Sequence, residues 1–153
     1  MLHRSFQIIA PILLIIISVI AVSACSGTGS PSPAEVPEPS YAGQIAENML
    51  LALNDNDYVS FIRDFDNTMK NAVSNEVFNT QFVDNIKGKI GKYTPDSRQF
   101  FQAANQAQYT IVVYSAQYDD EAGAVLVQIT FQQIDGKPYI AGLLWNSPEL
   151  RGE

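Results

Sequence analysis

Few residues in this chain have side chains that commonly do chemistry. Histidine occurs once, at position 3, and cysteine once, at position 25. For residues 26–153 this excludes Ser-His-Asp and Cys-His catalysis, as well as thiol redox chemistry. It also excludes zinc binding by histidine or cysteine and haem ligation by histidine. Carboxylates are therefore the groups that remain for acid–base or metal chemistry.

Two groups of carboxylates have positions that would support such chemistry. The Asp-Asp-Glu run at 119–121 lies in a predicted turn, but it lacks the ligand spacing of a calcium-binding loop, and we expect no metal site. Asp64 and Asp66 lie near the end of a predicted helix, where positions two apart face different sides. Either carboxylate would become a general base if burial raised its pKa. The alternative is a surface carboxylate beside Arg63 or Lys70, and we predict no catalytic residue and no cofactor.

The spacing of apolar residues predicts the elements that position these groups. Apolar residues recur every three or four positions over residues 42–53, 58–69 and 77–90, which predicts three helices. After Gly91 the pattern changes to β-rich runs, and residues 125–132 alternate as in a half-buried strand. The pair Asp135-Gly136 between two such runs predicts a tight hairpin. Helices followed by antiparallel strands indicate an α+β fold, with N-terminal helices packed on a sheet of about four strands.

The first 24 residues have the pattern of an export signal. Arg4 gives a short positive region, residues 8–24 are almost wholly apolar, and Val22-Ser23-Ala24 precedes Cys25. The tetrapeptide ending at Cys25 resembles the lipobox of prokaryotic lipoproteins. This resemblance implies cleavage before Cys25 and a diacylglyceryl group on its thiol. The alternative is an uncleaved membrane helix, since about 17 apolar residues are at the short end of what spans a bilayer.

Both interpretations place the remaining chain outside the cytoplasm, on the extracytoplasmic face of the cell membrane. Residues 25–40 contain four prolines among Ser and Gly, which predicts an extended linker with a reach of at most about 45 Å. The folded domain is expected over residues 41–153. The formal net charge of −7 becomes about −8 without Arg4, which disfavours binding to nucleic acid or to anionic lipid.

Apolar side chains supply two candidate binding surfaces. A cone between the helices and the sheet would provide a cavity for a small apolar ligand, although stripes of this kind also form ordinary core. The residues expected in its wall are Tyr58, Phe61, Phe65, Phe82, Tyr114, Val127, Ile129 and Phe131. The last predicted strand is apolar on both faces, with Tyr139, Leu143 and Trp145 on one of them. We expect this outer face to be covered by a second copy of the chain or by another protein.

The order of elements resembles the nuclear-transport-factor-2-like, or cystatin-like, superfamily. Within it, Phe65-Asp66 with Met69-Lys70, Lys89-Ile90-Gly91 and Asp135-Gly136-Lys137 resemble the domain-of-unknown-function family 3887 of bacteria and archaea. The resemblance covers almost all of residues 41–153 and implies a cone of helices on a curved sheet. Because that family's role is unassigned, no catalytic residue is carried over. Some isomerases and dehydratases of the superfamily use a buried aspartate.

Three hypotheses follow for a membrane-anchored lipoprotein with one folded domain. The first is a non-catalytic binding or interaction domain with a small-ligand cavity in the cone. The second is a dimerising or partner-docking module that uses the outer sheet face. The third is an isomerase- or hydratase-like enzyme, which would need a buried Asp64 or Asp66 at the cavity.

Overall fold

A computed structural model describes residues 34–153, with side chains from Val36 onward. The predicted export signal, Cys25 and the linker up to residue 33 lie outside the described residues. The helices are α1 Ala42–Asn54, α2 Tyr58–Phe61, α3 Asn67–Ala72, α4 Asn75–Val77, a π-helix Phe78–Lys87, α5 Gly88–Ile90 and α6 Pro148–Arg151. The strands are β1 Ala34–Glu35, β2 Gln99–Gln106, β3 Tyr109–Ala116, β4 Val125–Ile134 and β5 Lys137–Asn146.

The second predicted helix is broken in the structure. Between α2 and α3 the backbone bonds to strand β5: Ile140 N–H donates to the Asp64 carbonyl at 2.8 Å, and Asp66 N–H donates to the Ile140 carbonyl at 2.9 Å. These bonds replace helical ones, so Asp64 and Asp66 lie in a link between two short helices. The carboxylate of Asp66 then caps α3 by accepting a hydrogen bond from Met69 N–H at 2.7 Å.

The third predicted helix is continuous from α4 to α5, with a π-helical middle that the sequence analysis did not predict. Its apolar residues Phe78, Phe82, Ile86 and Ile90 recur every four positions, a spacing wider than the 3.6 residues of an α-helical turn. The wider turn keeps these side chains on one side of the helix. All four belong to the apolar core or pack against it.

The five strands form one antiparallel sheet in which each strand is hydrogen-bonded to the next along the chain. Asp135 and Gly136, between β4 and β5, have φ values of 52° and 75°, as a type I′ hairpin turn requires. The predicted hairpin is confirmed, and helices followed by an antiparallel sheet confirm the predicted α+β fold. β1 lies within the predicted linker, where no local sequence pattern predicts a strand.

One face of the sheet, the inner face, packs against the helices. Its side chains are Ala103, Val112, Tyr114, Ala116, Val125, Val127, Ile129, Phe131, Ile140, Leu143 and Trp145. Together with Ala46, Leu50, Phe61 and Phe78 from the helices they form the core. The alternation predicted for residues 125–132 is confirmed, since every odd position is buried and every even one is half-buried.

A bulge in β5 changes which of its side chains face outward. Thr130 is opposite Gly142 and Phe131 is opposite Ile140, so the residue between them on β5, at position 141, is left without a partner in the ladder. The extra residue reverses the alternation, and this corrects the interface prediction. Leu143 and Trp145 lie on the inner face, whereas Tyr139 lies on the opposite one together with the 55% exposed Leu144.

Candidate functional site

The aromatic residues predicted to line a ligand cavity lie together, but they pack against one another. Phe61 is 1% exposed, and its ring centroid lies 5.3 Å from that of Phe65 and 4.9 Å from those of Phe78 and Phe82. The tilted and edge-to-face geometries are those that aromatic pairs favour. Side chains thus occupy the space between the helices and the sheet at this point.

The other predicted cavity residues belong to the same core. Val127, Ile129 and Phe131 are at most 1% exposed, and the Phe131 ring packs edge-on against Tyr41. Tyr58 is half-buried, and its hydroxyl donates a hydrogen bond to the Val73 carbonyl at 2.9 Å. These contacts are those of ordinary core packing.

Trp145, predicted at an interface, also contributes to this core. Its ring packs edge-on against Phe82, with centroids 5.9 Å apart, and its Nε1–H donates to the Tyr118 hydroxyl at 2.8 Å. Burial raises the pKa of Tyr118 above the usual tyrosine range. Trp145 therefore stabilises the interior of the domain.

Neither aspartate of the enzyme hypothesis points into an apolar cavity. The Asp64 carboxylate forms an exposed ion pair with Arg63 at 2.8 Å, and the Asp66 carboxylate caps α3. Asp66, Lys70 and Tyr139 line a shallow cleft of about 190 Å³, smaller than the roughly 300 Å³ of an ordinary ligand pocket. Among residues 34–153, no group of three His, Cys, Asp or Glu side chains is placed to hold a metal ion.

The sheet face turned away from the helices, the outer face, carries one charged side chain from β2 to β5, Lys137 at the hairpin end of β5. The face consists of Gln99, Gln102, Ala104, Gln106, Tyr109, Ile111, Val113, Ser115, Leu126, Gln128, Thr130, Gln132, Ile134, Lys137, Tyr139, Gly142, Leu144 and Asn146. One row across four strands runs Gln102, Val113, Gln128, Leu144, and its last residue is 55% exposed. The signal that would have found this face is the absence of charge from residues 99–118 and 122–134.

A polar cluster that the sequence analysis missed attaches the end of the predicted linker to the domain. The Glu38 carboxylate accepts a hydrogen bond from the Tyr114 hydroxyl at 2.7 Å and lies 3.8 Å from the Arg98 guanidinium. We call Glu38, Glu47, Tyr93, Arg98 and Tyr114 the clasp. Contacts across 76 sequence positions, as between the first and last of these residues, have no local signature.

The second carboxylate of the clasp is held from three sides. The Tyr93 hydroxyl donates to Glu47 Oε2 at 2.8 Å, and Asp96 N–H donates to Oε1 at 3.0 Å. Arg98 Nε lies 3.0 Å from Oε2 as an ion pair, although its N–H is not aligned for a hydrogen bond. Burial and the hydrogen bond to Glu47 raise the pKa of Tyr93 to about 12, and burial and Glu38 raise that of Tyr114 further.

The clasp leaves no room for a side chain on α1 at Gly43. A Cβ atom there would lie 2.8 Å from a carboxylate oxygen of Glu38 and 2.9 Å from a guanidinium nitrogen of Arg98. Glycine therefore allows the linker segment to approach the helix closely.

The edge of the sheet beside β1 exposes two aromatic side chains. Phe100 is 38% exposed and Phe101 is 60% exposed, and with Val36 they line a groove of about 220 Å³. Phe101 stands at a bulge, between the pairs that Phe100 and Gln102 form with β3. Bulged edge strands discourage pairing with another chain, but exposed phenylalanines need another explanation.

Comparison with known proteins adds the family. A family model described as Protein of unknown function (DUF3887) matches residues 46–143, which is more than half of the chain. The chain belongs to this family. The DUF3887 match begins inside α1 and ends in β5, so it contains the phenylalanines of the core, while β1 and Glu38 precede it and Trp145 follows it. No curated protein and no solved structure matches the chain.

The DUF3887 membership confirms the family resemblance drawn from Phe65-Asp66 and the β4–β5 hairpin. Those residues are packing and turn residues, and the structure uses them so: Phe65 is fully buried, and Asp66 caps a helix. None of the helices in residues 34–153 has the length and apolar character needed to cross a bilayer.

Proposed function

We propose that this chain is a membrane-anchored extracytoplasmic lipoprotein whose DUF3887 domain is a non-catalytic interaction module that associates with a second copy through its outer sheet face. The observation that carries the proposal is an outer face that, from β2 to β5, has no carboxylate on a strongly acidic chain and one charged side chain, Lys137, at its hairpin end. Charged residues are depleted at the centres of protein interfaces. The carboxylates between β3 and β5, at 119–121 and Asp135, lie in the connections at the ends of the sheet, and Glu38 contacts the inner face through Tyr114.

A second copy is the partner that fits this face best. Each copy carries a net charge near −8 after cleavage, so two copies repel one another except where the facing surfaces are neutral. Four strands about 4.8 Å apart and about eight residues long give a footprint of roughly 500 Å². The side chains on this footprint expose a larger solvent-accessible area than the footprint itself. The area available for contact therefore approaches the roughly 800 Å² per partner of a standard interface.

The tether is proposed from the sequence. Residues 1–24 carry the export pattern, and a lone cysteine after small residues is where lipoproteins are acylated. A cysteine whose thiol carries lipid needs no disulfide partner in the same chain. Several acyl chains anchor a protein stably, whereas a single acyl chain gives only marginal anchoring. The helices-then-sheet order also supports placement in the nuclear-transport-factor-2-like superfamily.

Interior packing favours this function over the other two hypotheses. The aromatic rings occupy the region where a small ligand would lie in a cone. The two aspartates available as bases are engaged in an ion pair and a helix cap. Association through the outer face requires neither a cavity nor a perturbed carboxylate.

Native mass spectrometry of the full-length product, purified from membranes in detergent, tests each part of the proposal. We expect the mass of residues 25–153 plus a diacylglyceryl group, and a doubled species. Leu144→Lys places a charge in the centre of the proposed interface and should abolish the doubled species. Val59→Lys, at a 75% exposed position on α2, is the matched control and should leave it unchanged.

Each outcome of that measurement is informative. A wild-type monomer, or a dimer that survives Leu144→Lys, would contradict the outer-face proposal. A mass that retains residues 1–24, or that lacks the acyl group, would contradict the lipoprotein. Additional mass from a retained small molecule would instead favour the ligand-binding hypothesis.

A further inference from the structure

The chain enters the domain along one edge of the sheet. Ala34 and Glu35 pair with Asn105 and Ala104 of β2, and Val36 N–H donates to the Ala103 carbonyl at 3.0 Å. The clasp then holds Glu38. The segment before Tyr41 is therefore bound to the β2 edge over several residues.

This attachment shortens the tether. Eight residues, 26–33, separate the paired Ala34 from Cys25, and at about 3.1 Å per residue they reach roughly 25 Å. If Cys25 carries the proposed lipid, the β2 edge can lie no farther from the bilayer than that distance. The β5 edge lies three strand spacings, about 14 Å, away across the sheet. The point of attachment thus favours β2 as the edge nearest to the membrane.

The same edge exposes apolar side chains of the kind that contact lipid. Phe100 and Phe101 are 38% and 60% exposed, adjacent in sequence, and beside Val36. Residues 99–118 contain no charged side chain. The paired linker segment brings Glu35 and Glu38 to this edge, and Glu38 is held by Tyr114 and Arg98. Elsewhere the acidic chain is repelled by anionic headgroups. The β2 edge is a place where an acidic domain can meet a bilayer through apolar contact.

The register argues against the chain's own tether as the occupant of the groove. β1 is antiparallel to β2, so its N-terminal residue, Ala34, is opposite Asn105, four positions beyond Phe101. The chain comes to lie beside Phe101 only after Val36, in residues that the structure describes, and Phe101 is still 60% exposed. The groove therefore remains open beside the bound linker segment.

We infer that the β2 edge of the domain docks on the bilayer that holds the lipid of Cys25, with Phe101 inserted at the boundary between headgroups and acyl chains. This inference rests on the proposed lipid anchor. The lipid sets the distance and the clasp fixes the edge that faces the membrane. Phe101 supplies the apolar contact, at a depth of about 5–10 Å for an interfacial side chain. Because the contact is apolar, it does not require anionic lipid.

A fluorescent label at Phe101 tests the inference in the full-length lipoprotein. Cys25 is the chain's only cysteine, and acylation blocks its thiol, so Phe101→Cys introduces a single free thiol for an environment-sensitive dye. The protein is reconstituted in phosphatidylcholine vesicles whose acyl chains carry bromine as a quencher. Val59→Cys, at a 75% exposed position on α2, is the matched control, because it lies outside the outer face and shortly before the link that bonds to β5. Gln99→Cys, exposed on the same strand as Phe101, gives a second position if Phe101→Cys lowers the yield.

We expect the dye at position 101 to show blue-shifted emission and quenching by brominated lipid, unchanged between low and high salt, and the dye at position 59 to show neither. Equal quenching at the two positions would overturn the inference. So would a blue shift at 101 that depends on protein concentration but not on brominated lipid, which would indicate a protein partner. If two dyes attach to each chain, or the protein does not float with the vesicles, the anchor itself is absent, and both this inference and the proposed tether fail.

Discussion

The inner and outer faces of the sheet are built from alternate residues of the same four strands, yet they have different roles. On the inner face, Val127 and Ile129 are fully buried beneath aromatic rings of the helices. On the outer face, Gln128 between them is half-buried and Leu144 beside it is exposed. From β2 to β5 neither face carries a carboxylate, and the one charged side chain is Lys137 at the end of the outer face. The difference is that helices cover one face and leave the other open, where we propose that a second copy binds.

Among substitutions that compare the two faces, replacing an aromatic residue of the core should cause the largest loss of stability. Phe61→Ala removes a ring in contact with three other phenylalanines, and we expect a loss of about 3–5 kcal/mol in the free energy of unfolding. Urea denaturation of the purified protein measures it. Leu144→Ala on the outer face is the control, and at a protein concentration low enough for the chain to be monomeric it should change stability by less than about 0.5 kcal/mol. Similar losses for both variants would mean that the outer face is also part of the core.

A substitution at the polar end of the inner face, where Tyr114 contacts Glu38, should have an intermediate effect on the free energy of unfolding. Tyr114→Phe removes the hydroxyl that donates to Glu38, and because that carboxylate is about one-third exposed we expect a loss of only about 1 kcal/mol. The same change should speed amide hydrogen exchange at Val36, since the clasp helps to hold β1. Tyr109→Phe, on the outer face of the same strand, is the matched control. Unchanged exchange at Val36 would show that backbone pairing alone holds the linker segment.

A pH titration should give the smallest and most specific effect. The pKa of Tyr93 rises from 10.0 to about 12 on folding, so the unfolded chain loses this proton first. The contribution of Tyr93 to stability is therefore complete below pH 10 and is lost as the pH rises toward 12. Tyr93→Phe should reduce the loss in the free energy of unfolding that denaturation experiments measure as the pH rises. The part of that loss caused by Tyr114 and Tyr118 should remain. Identical pH curves for the two proteins would contradict the burial of this hydroxyl.

Local patterns were sufficient to predict the fold class. Helical spacing located α1 and the segment from α4 to α5, strict alternation located β4, and Asp135-Gly136 located a hairpin whose φ values bear it out. Each of these signals depends only on neighbours in the sequence. The α+β arrangement followed because helices precede strands and each has one apolar side.

The features that were missed depend on distant contacts or on a single residue. The break between α2 and α3 results from backbone bonds to Ile140, and the clasp joins Glu38 to Tyr114. The bulge at position 141 adds one residue to β5 and moves Leu143 and Trp145 from the outer face to the inner one. An error of one position in a strand reverses every later side chain, which is why the face predicted for Leu143 and Trp145 was wrong while the strand itself was right.

The pairing of β1 has a consequence for how the domain avoids aggregation. A sheet edge presents unpaired backbone groups that can recruit strands from other molecules. At the β5 edge, Pro138 and a bulge interrupt such pairing. At the other edge, the linker itself pairs with Ala104 and Asn105 of β2 and bonds to Ala103, and a bulge distorts the part nearer Phe100. A segment with the composition of a spacer thus also protects the sheet edge, and removing the first 40 residues would remove that protection together with the proposed anchor.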